Sequence, residues 1–186
     1  MAVRRRHATG YTLIELMAVL AIASALLVIA IPMFRTQVQN SRMSAAATDL
    51  LSTFMSAKAE AVGRNYPVQV CIRNEAADGC ANTGQWEDGW LTFIDEDDDR
   101  TLDAGEDILQ IHPPLSAETT ARATGSLANS VTYRPNGLTN LSGTESLVIC
   151  DARGFGTNSR ILTVSILGKV SVLKVEESGV GTCLRS

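Results

Sequence analysis

Residues 4–32 read RRRHATGYTLIELMAVLAIASALLVIAIP, and a single carboxylate within them decides how the chain is to be understood. From 11 to 31 the run holds 21 residues whose only charge is Glu15, bounded by Arg4, Arg5 and Arg6 on one side and Arg35 on the other. A helix of that length crosses a hydrocarbon core of about 30 Å. The arginine triplet holds the leading end in the cytoplasm and sends the chain beyond Ile31 across the membrane. An ionised carboxylate near a bilayer is costly unless it is paired, so Glu15 is a functional candidate; the blander reading has it reaching the headgroups.

A cleavable secretory signal has the same basic start and apolar core. Its cleavage site lies after the core, yet here Pro32, Met33 and Phe34 lead straight into an amphipathic stretch without a small-x-small site. Gly10 instead precedes the run, and a cut there retains the anchor.

Gly10, an aromatic residue at 11 and TLIEL at 12–16 together resemble the class III signal of type IV pilins and pseudopilins. The resemblance implies cleavage after Gly10 by a prepilin peptidase and N-methylation of the new amino terminus on Tyr11, where the family usually has phenylalanine. It also implies that Glu15 pairs with the amino-terminal ammonium of a neighbouring subunit during filament assembly, and that the helix bends at Pro32. The expected organisation is a cleaved leader over 1–10, a transmembrane helix over 11–31, its amphipathic continuation over 32–63 and a periplasmic β-rich body over 64–186.

Beyond Pro32 the residues Phe34, Val38, Ala45, Leu50, Leu51, Phe54, Met55, Lys58, Ala61 and Val62 approximate a 3.6-residue period. They predict an apolar stripe for a sheet to cover, with Gly63 as the stop. After Asn65 the period changes to two in PVQVCI, GWLTFI, DILQI, SVTYRP, SLVICD, RILTVSIL and KVSVLKV, which predicts seven antiparallel strands. PNG at 135–137 and LGK at 167–169 read as tight turns, and SAETTARATGS at 116–126 as a polar loop. The fold class is therefore α+β: a long N-terminal helix, transmembrane in its first half, packed on an antiparallel β-sheet body.

SRMSAAATDLLSTFMSAKAEAVGRNYPVQVC at 41–71, GWLTFIDEDDDRTLDAGEDIL at 89–109, YRPNGL at 133–138 and a last cysteine near the end resemble minor pilins and pseudopilins of the GspH/FimT type. That resemblance implies a low-abundance subunit that primes a type IV pilus or sits at its tip. Its implied partners are other minor and major pilins, the prepilin peptidase and the inner-membrane assembly platform. A type II secretion pseudopilin is one alternative. The other is a minor pilin that binds DNA during natural transformation, for which Arg153, Arg160, Lys169, Lys174 and Arg185 supply positive charge. Glu176 and Glu177 interrupt that patch, and removal of the leader takes the formal charge from −4 to −7, so scattered surface charge is the favoured reading.

Four cysteines, Cys71, Cys80, Cys150 and Cys183, contain no CxxC, and two histidines do not make a zinc site. In an exported chain they favour disulfides, and proximity favours Cys71 with Cys80 and Cys150 with Cys183, while crossed pairing stays open. Asp95, Asp97, Asp99, Asp103 and Glu106 fall at positions 1, 3, 5, 9 and 12 of a calcium-loop pattern, but Arg100 occupies the glycine position, so a solvated acidic connection is favoured over calcium. No other cofactor is expected. No GxSxG, HExxH or phosphate-binding glycine loop is present, and His112 beside Pro113 and Pro114 reads as structural, which argues against an enzyme.

Overall fold

A computed structural model describes residues 12–116, 118–175 and 183. Its first element is one helix, α1 (Leu13–Arg64), which contains Pro32. Proline removes one backbone donor from the i→i−4 ladder. The chain divides into a unit up to Gln39 and a compact unit from Asn40 onward.

In the first unit the large apolar side chains from Leu13 to Phe34 are all exposed, at 51% to 77% of their surface. In the second, α1 turns one face inward, through Met43, Ala46, Ala47, Leu50, Thr53, Phe54, Ala57 and Ala61. Half of these are alanines, which let the helix backbone approach the sheets closely. The expected stripe is therefore displaced: Leu50, Phe54 and Ala61 are buried as read, but Ala45, Met55 and Val62 face out. The helix stops at Arg64 rather than Gly63, because Asn65 takes the left-handed conformation (φ 61°) and returns its N–H to the Ala61 carbonyl at 3.1 Å.

Eight strands come after it: β1 (Val68–Ile72), β2 (Trp90–Ile94), β3 (Ile108–His112), β4 (Thr120–Ala123), β5 (Ser130–Tyr133), β6 (Glu145–Cys150), β7 (Arg160–Val164) and β8 (Val170–Lys174). They form two four-stranded sheets, in the order β3-β2-β1-β5 and β4-β6-β7-β8, where a single body sheet of seven strands was expected. All the pairings are antiparallel. The extra strand is β4, inside the segment read as a polar loop. Its sequence TARA has little β-propensity; tertiary contacts hold it instead. The Glu87 carboxylate accepts from the Ala121 N–H at 2.9 Å and pairs with Arg122 at 3.0 Å.

Both sheets and α1 share one core. Trp86 meets Phe54 edge-on at 5.5 Å and donates Nε1–H to the Leu127 carbonyl, while Trp90 donates Nε1–H to Thr53 Oγ1 at 3.0 Å. Both indoles thus bury their rings without orphaning their polar edge. On the opposite face of the first sheet a second, smaller cluster of Cys71, Leu91 and Phe93 is covered by Cys80 and Leu102. The β7–β8 hairpin turns through Gly168, whose φ of 66° closes a hydrogen bond to Ser165. A Cβ at Gly168 would run into the Gly137 carbonyl, so the tight turn read at 167–169 is fixed sterically as well as by its dihedral.

Candidate functional site

The site begins where α1 begins. Thr12 Oγ1 accepts from the Glu15 N–H at 3.3 Å, and the Thr12 carbonyl accepts from the Glu15 and Leu16 N–H groups. Thr12 is thus the N-cap and Glu15 the third helical residue, an arrangement that TLIE encodes locally. Glu15 is exposed, and among the described residues it makes no ion pair. Gly10 and Tyr11, read as the cleavage and methylation positions, lie outside the described residues.

With its large apolar side chains exposed, the 13–34 segment is long and apolar enough to cross a membrane. A helix without a polar face suits lipid or neighbouring helices and suits water poorly.

The cysteines are paired as Cys71–Cys80 and Cys150–Cys183, with Cα separations of 5.6 and 6.0 Å. Cys71 lies in β1 and its partner helps cover the outer face of the first sheet. Cys150 ends β6 and holds the tail at Cys183.

In the acidic connection Asp95, Asp97 and Asp99 each place a carboxylate oxygen within 4.8 Å of the others. Asp103 and Glu106 do not complete that group. Glu106 accepts from the Glu96 and Asp103 N–H groups, while Asp95 accepts from those of Asp99 and Arg100. The loop therefore folds around its own carboxylates, with Leu102 tucked over the outer cluster. Arg100 adopts φ 70°, the left-handed conformation that glycine would take without strain. Burial pushes the Asp95 carboxyl above its ordinary value, against the two N–H donors that pull it down, and Glu106 and Asp98 repel it further. Exposed Asp103 is raised chiefly by the charge of Asp99, then by desolvation and by Asp97 and Glu106.

Positive charge does not gather into a stripe among the described residues. Arg153 is held by both Asp151 oxygens at 3.0 Å and by Asn40 at 2.9 Å. Burial alone would raise Asp151, but the hydrogen bonds and charge of Arg153 outweigh it and pull the carboxyl below its ordinary value. Arg160 and Lys174 face each other across β7 and β8, while Lys169 sits at the other end of that hairpin. Arg185, Glu176 and Glu177 lie outside the described residues. His112 stacks on Trp90 at 3.8 Å, with Nε2 3.5 Å from Asp49 and Nδ1 2.7 Å from the Pro113 carbonyl, a structural post between β3 and α1.

Sequence reasoning missed the Glu87–Arg122 pair, the Asp151–Arg153 pair and the outer apolar cluster. Only Asp151 and Arg153, two residues apart at a strand end, left a local signal.

Residues 46–168 match the model of the family described as Type II transport protein GspH, and residues 5–31 match that of the prokaryotic N-terminal methylation motif. Comparison with curated protein sequences gives no match. Among solved structures the chain is similar to the type IV minor pilin FimU of Pseudomonas aeruginosa, with a TM-score of 0.58 and 18% identity over 77% of this chain and 96% of that one. A second crystal form of FimU gives a TM-score of 0.54. The minor pseudopilin EpsH of the Vibrio cholerae type 2 secretion system gives 0.50 and 12% identity, over 72% of this chain and 97% of that one. At these identities the likeness shows the fold, a pilin-like helix on antiparallel sheets.

Proposed function

Because the chain belongs to the GspH family, whose members are pilin-type structural subunits rather than enzymes, we propose that this minor pilin or pseudopilin primes assembly of a type IV pilus or sits at its tip. The observation that carries the reading is the exposed apolar 13–34 helix, with a single carboxylate, that of Glu15, in the first turn that Thr12 caps. As a precursor the chain rests in the inner membrane with the arginine triplet in the cytoplasm and the body in the periplasm. The peptidase cuts after Gly10, Tyr11 is methylated, and the helix leaves lipid for a bundle of neighbouring helices. Glu15 then finds the ammonium of an adjacent subunit, exchanging an unpaired charge for a paired one. Other pilins and the assembly platform are the partners this requires. The two disulfides suit a body held in an oxidising compartment, the periplasm or the cell exterior.

In the native host, Glu15→Val should insert into the membrane and be processed normally, yet fall at least about tenfold in sheared filaments. Wild-type recovery of the variant in those filaments would remove the role given to Glu15. A mature amino terminus beyond Ile31, read by mass spectrometry, would remove the pilin reading altogether.

A further inference from the structure

The first sheet ends at β3, and that edge differs from those of β5 and β4. The β5 edge is covered by the 139–140 segment, and the Ala121 N–H of β4 is taken by Glu87. Among the described residues β3 pairs with β2 on one side and makes no backbone hydrogen bond on the other. An uncovered strand edge is a template for another strand unless it is guarded, most often by lysine or proline. β3 (ILQIH) contains neither; its bulge at the Thr92/Phe93 register shift and the adjoining Pro113 and Pro114 limit only the length that can pair.

On the outer face of the sheet the side chains beside this edge are apolar. Ile108 pairs with Phe93 and Ile111 with Leu91, so both isoleucines share the outer face of the sheet with the small cluster there. Leu91 and Phe93 are fully buried beneath their covering loops, whereas Ile108 and Ile111 remain 43% and 47% exposed. The apolar face thus runs out from under its cover onto the open edge. Immediately before β3, residues 95–107 carry eight carboxylates against the single cation of Arg100. An incoming strand would meet that charge at one end.

We propose that the β3 edge is a strand-addition site for a short, extended, basic segment of a partner protein, held by main-chain hydrogen bonds to 108–112, by β-branched side chains against Ile108 and Ile111, and by a lysine or arginine beside the acidic loop. The mode is β-augmentation, in which the backbone gives affinity and alternate side chains give selectivity. It is independent of which filament the subunit serves and of the role of Glu15.

The test uses the full chain in detergent micelles and a labelled synthetic peptide of about seven residues, alternating valine and threonine and ending in two lysines. The lysine peptide should bind and slow amide exchange at 108–112. Replacing its lysines with glutamates, or N-methylating alternate amides, should each weaken binding at least about tenfold. Ile111→Lys should weaken it similarly with an unchanged melt, and the peptide variants keep the test valid should that substitution disturb folding. The proposal is overturned by no binding at millimolar peptide, by equal binding of the glutamate or N-methylated peptide, or by protection elsewhere than 108–112. Concentration-dependent protection of 108–112 without peptide would make a second copy the occupant and overturn it too.

Discussion

Two stretches of one helix obey opposite rules. Between Leu13 and Phe34, α1 exposes each of its large apolar side chains; between Met43 and Ala61 it buries a narrow face, half of it alanine, and leaves the rest to water. Backbone geometry does not distinguish them, since both belong to a single helix. The surroundings each was selected for do. A segment surrounded by lipid or by neighbouring helices has no polar side and hence no period, whereas a segment with a sheet on one side must. The comparison teaches that the first stretch stores its contacts for other molecules and the second has spent them on its own body.

The largest expected effect tests that division directly. Phe54 is fully buried against Trp86, so Phe54→Ala should destabilise the body by about 3–5 kcal/mol, read by urea denaturation of the detergent-solubilised chain. Leu20→Ala, in the exposed stretch, should leave the same denaturation curve unchanged. Comparable losses from both would mean that the 13–34 segment supports the body after all.

Next in size are the disulfides. Cys150–Cys183 closes a loop of sequence separation 33 and Cys71–Cys80 one of 9. Chain entropy assigns each roughly 2–4 kcal/mol, with the longer loop ahead by about 1 kcal/mol. Cys150→Ser should therefore lower the denaturation midpoint more than Cys71→Ser. The reverse order would locate the greater stabilisation in the outer cluster around Cys71 rather than in the tether of the tail.

The same contrast explains what was legible in the sequence. The anchor was plain because lipid imposes length and composition on consecutive residues, and the glycine and glutamate stand at fixed distances from it. The strands with alternating β-branched residues were readable for the same local reason. β4 was not, since Glu87 and β6 hold it from outside its own sequence. The buried helix face was displaced because a period permits several faces, and the sheets took the one with alanines at 46, 47, 57 and 61 instead of the one with Met55 and Val62. The open edge of β3 left no mark in ILQIH, because being an edge is a property of the topology.

The smallest effect concerns the acidic loop, where repulsion is built into the fold. The folded Asp103 carboxyl is raised above its ordinary 3.8 by Asp99, desolvation, Asp97 and Glu106, so the folded state holds that proton more tightly than the unfolded chain does. Its contribution to stability is full below pH 3.8 and is lost as pH rises through the elevated folded value. Asp103→Asn removes the charge and should make the body slightly more stable than wild type at pH 7, equally stable near the acid end, and less distinguishable in high salt. Asp151 has the opposite sign: Arg153 lowers it, so its stabilisation is present above the unfolded value and disappears as acid takes the pH down through the folded one. The Asp103 variant also separates the two readings of the loop. If the loop is only a solvated connection, calcium and chelator should leave both melts unmoved, and the variant keeps its small advantage. If Asp95, Asp97 and Asp99 gather a calcium ion despite Arg100, calcium should raise the wild-type melt, Asp97→Ala should abolish the rise, and Asp103→Asn, whose carboxylate lies outside that group, should keep a rise of its own.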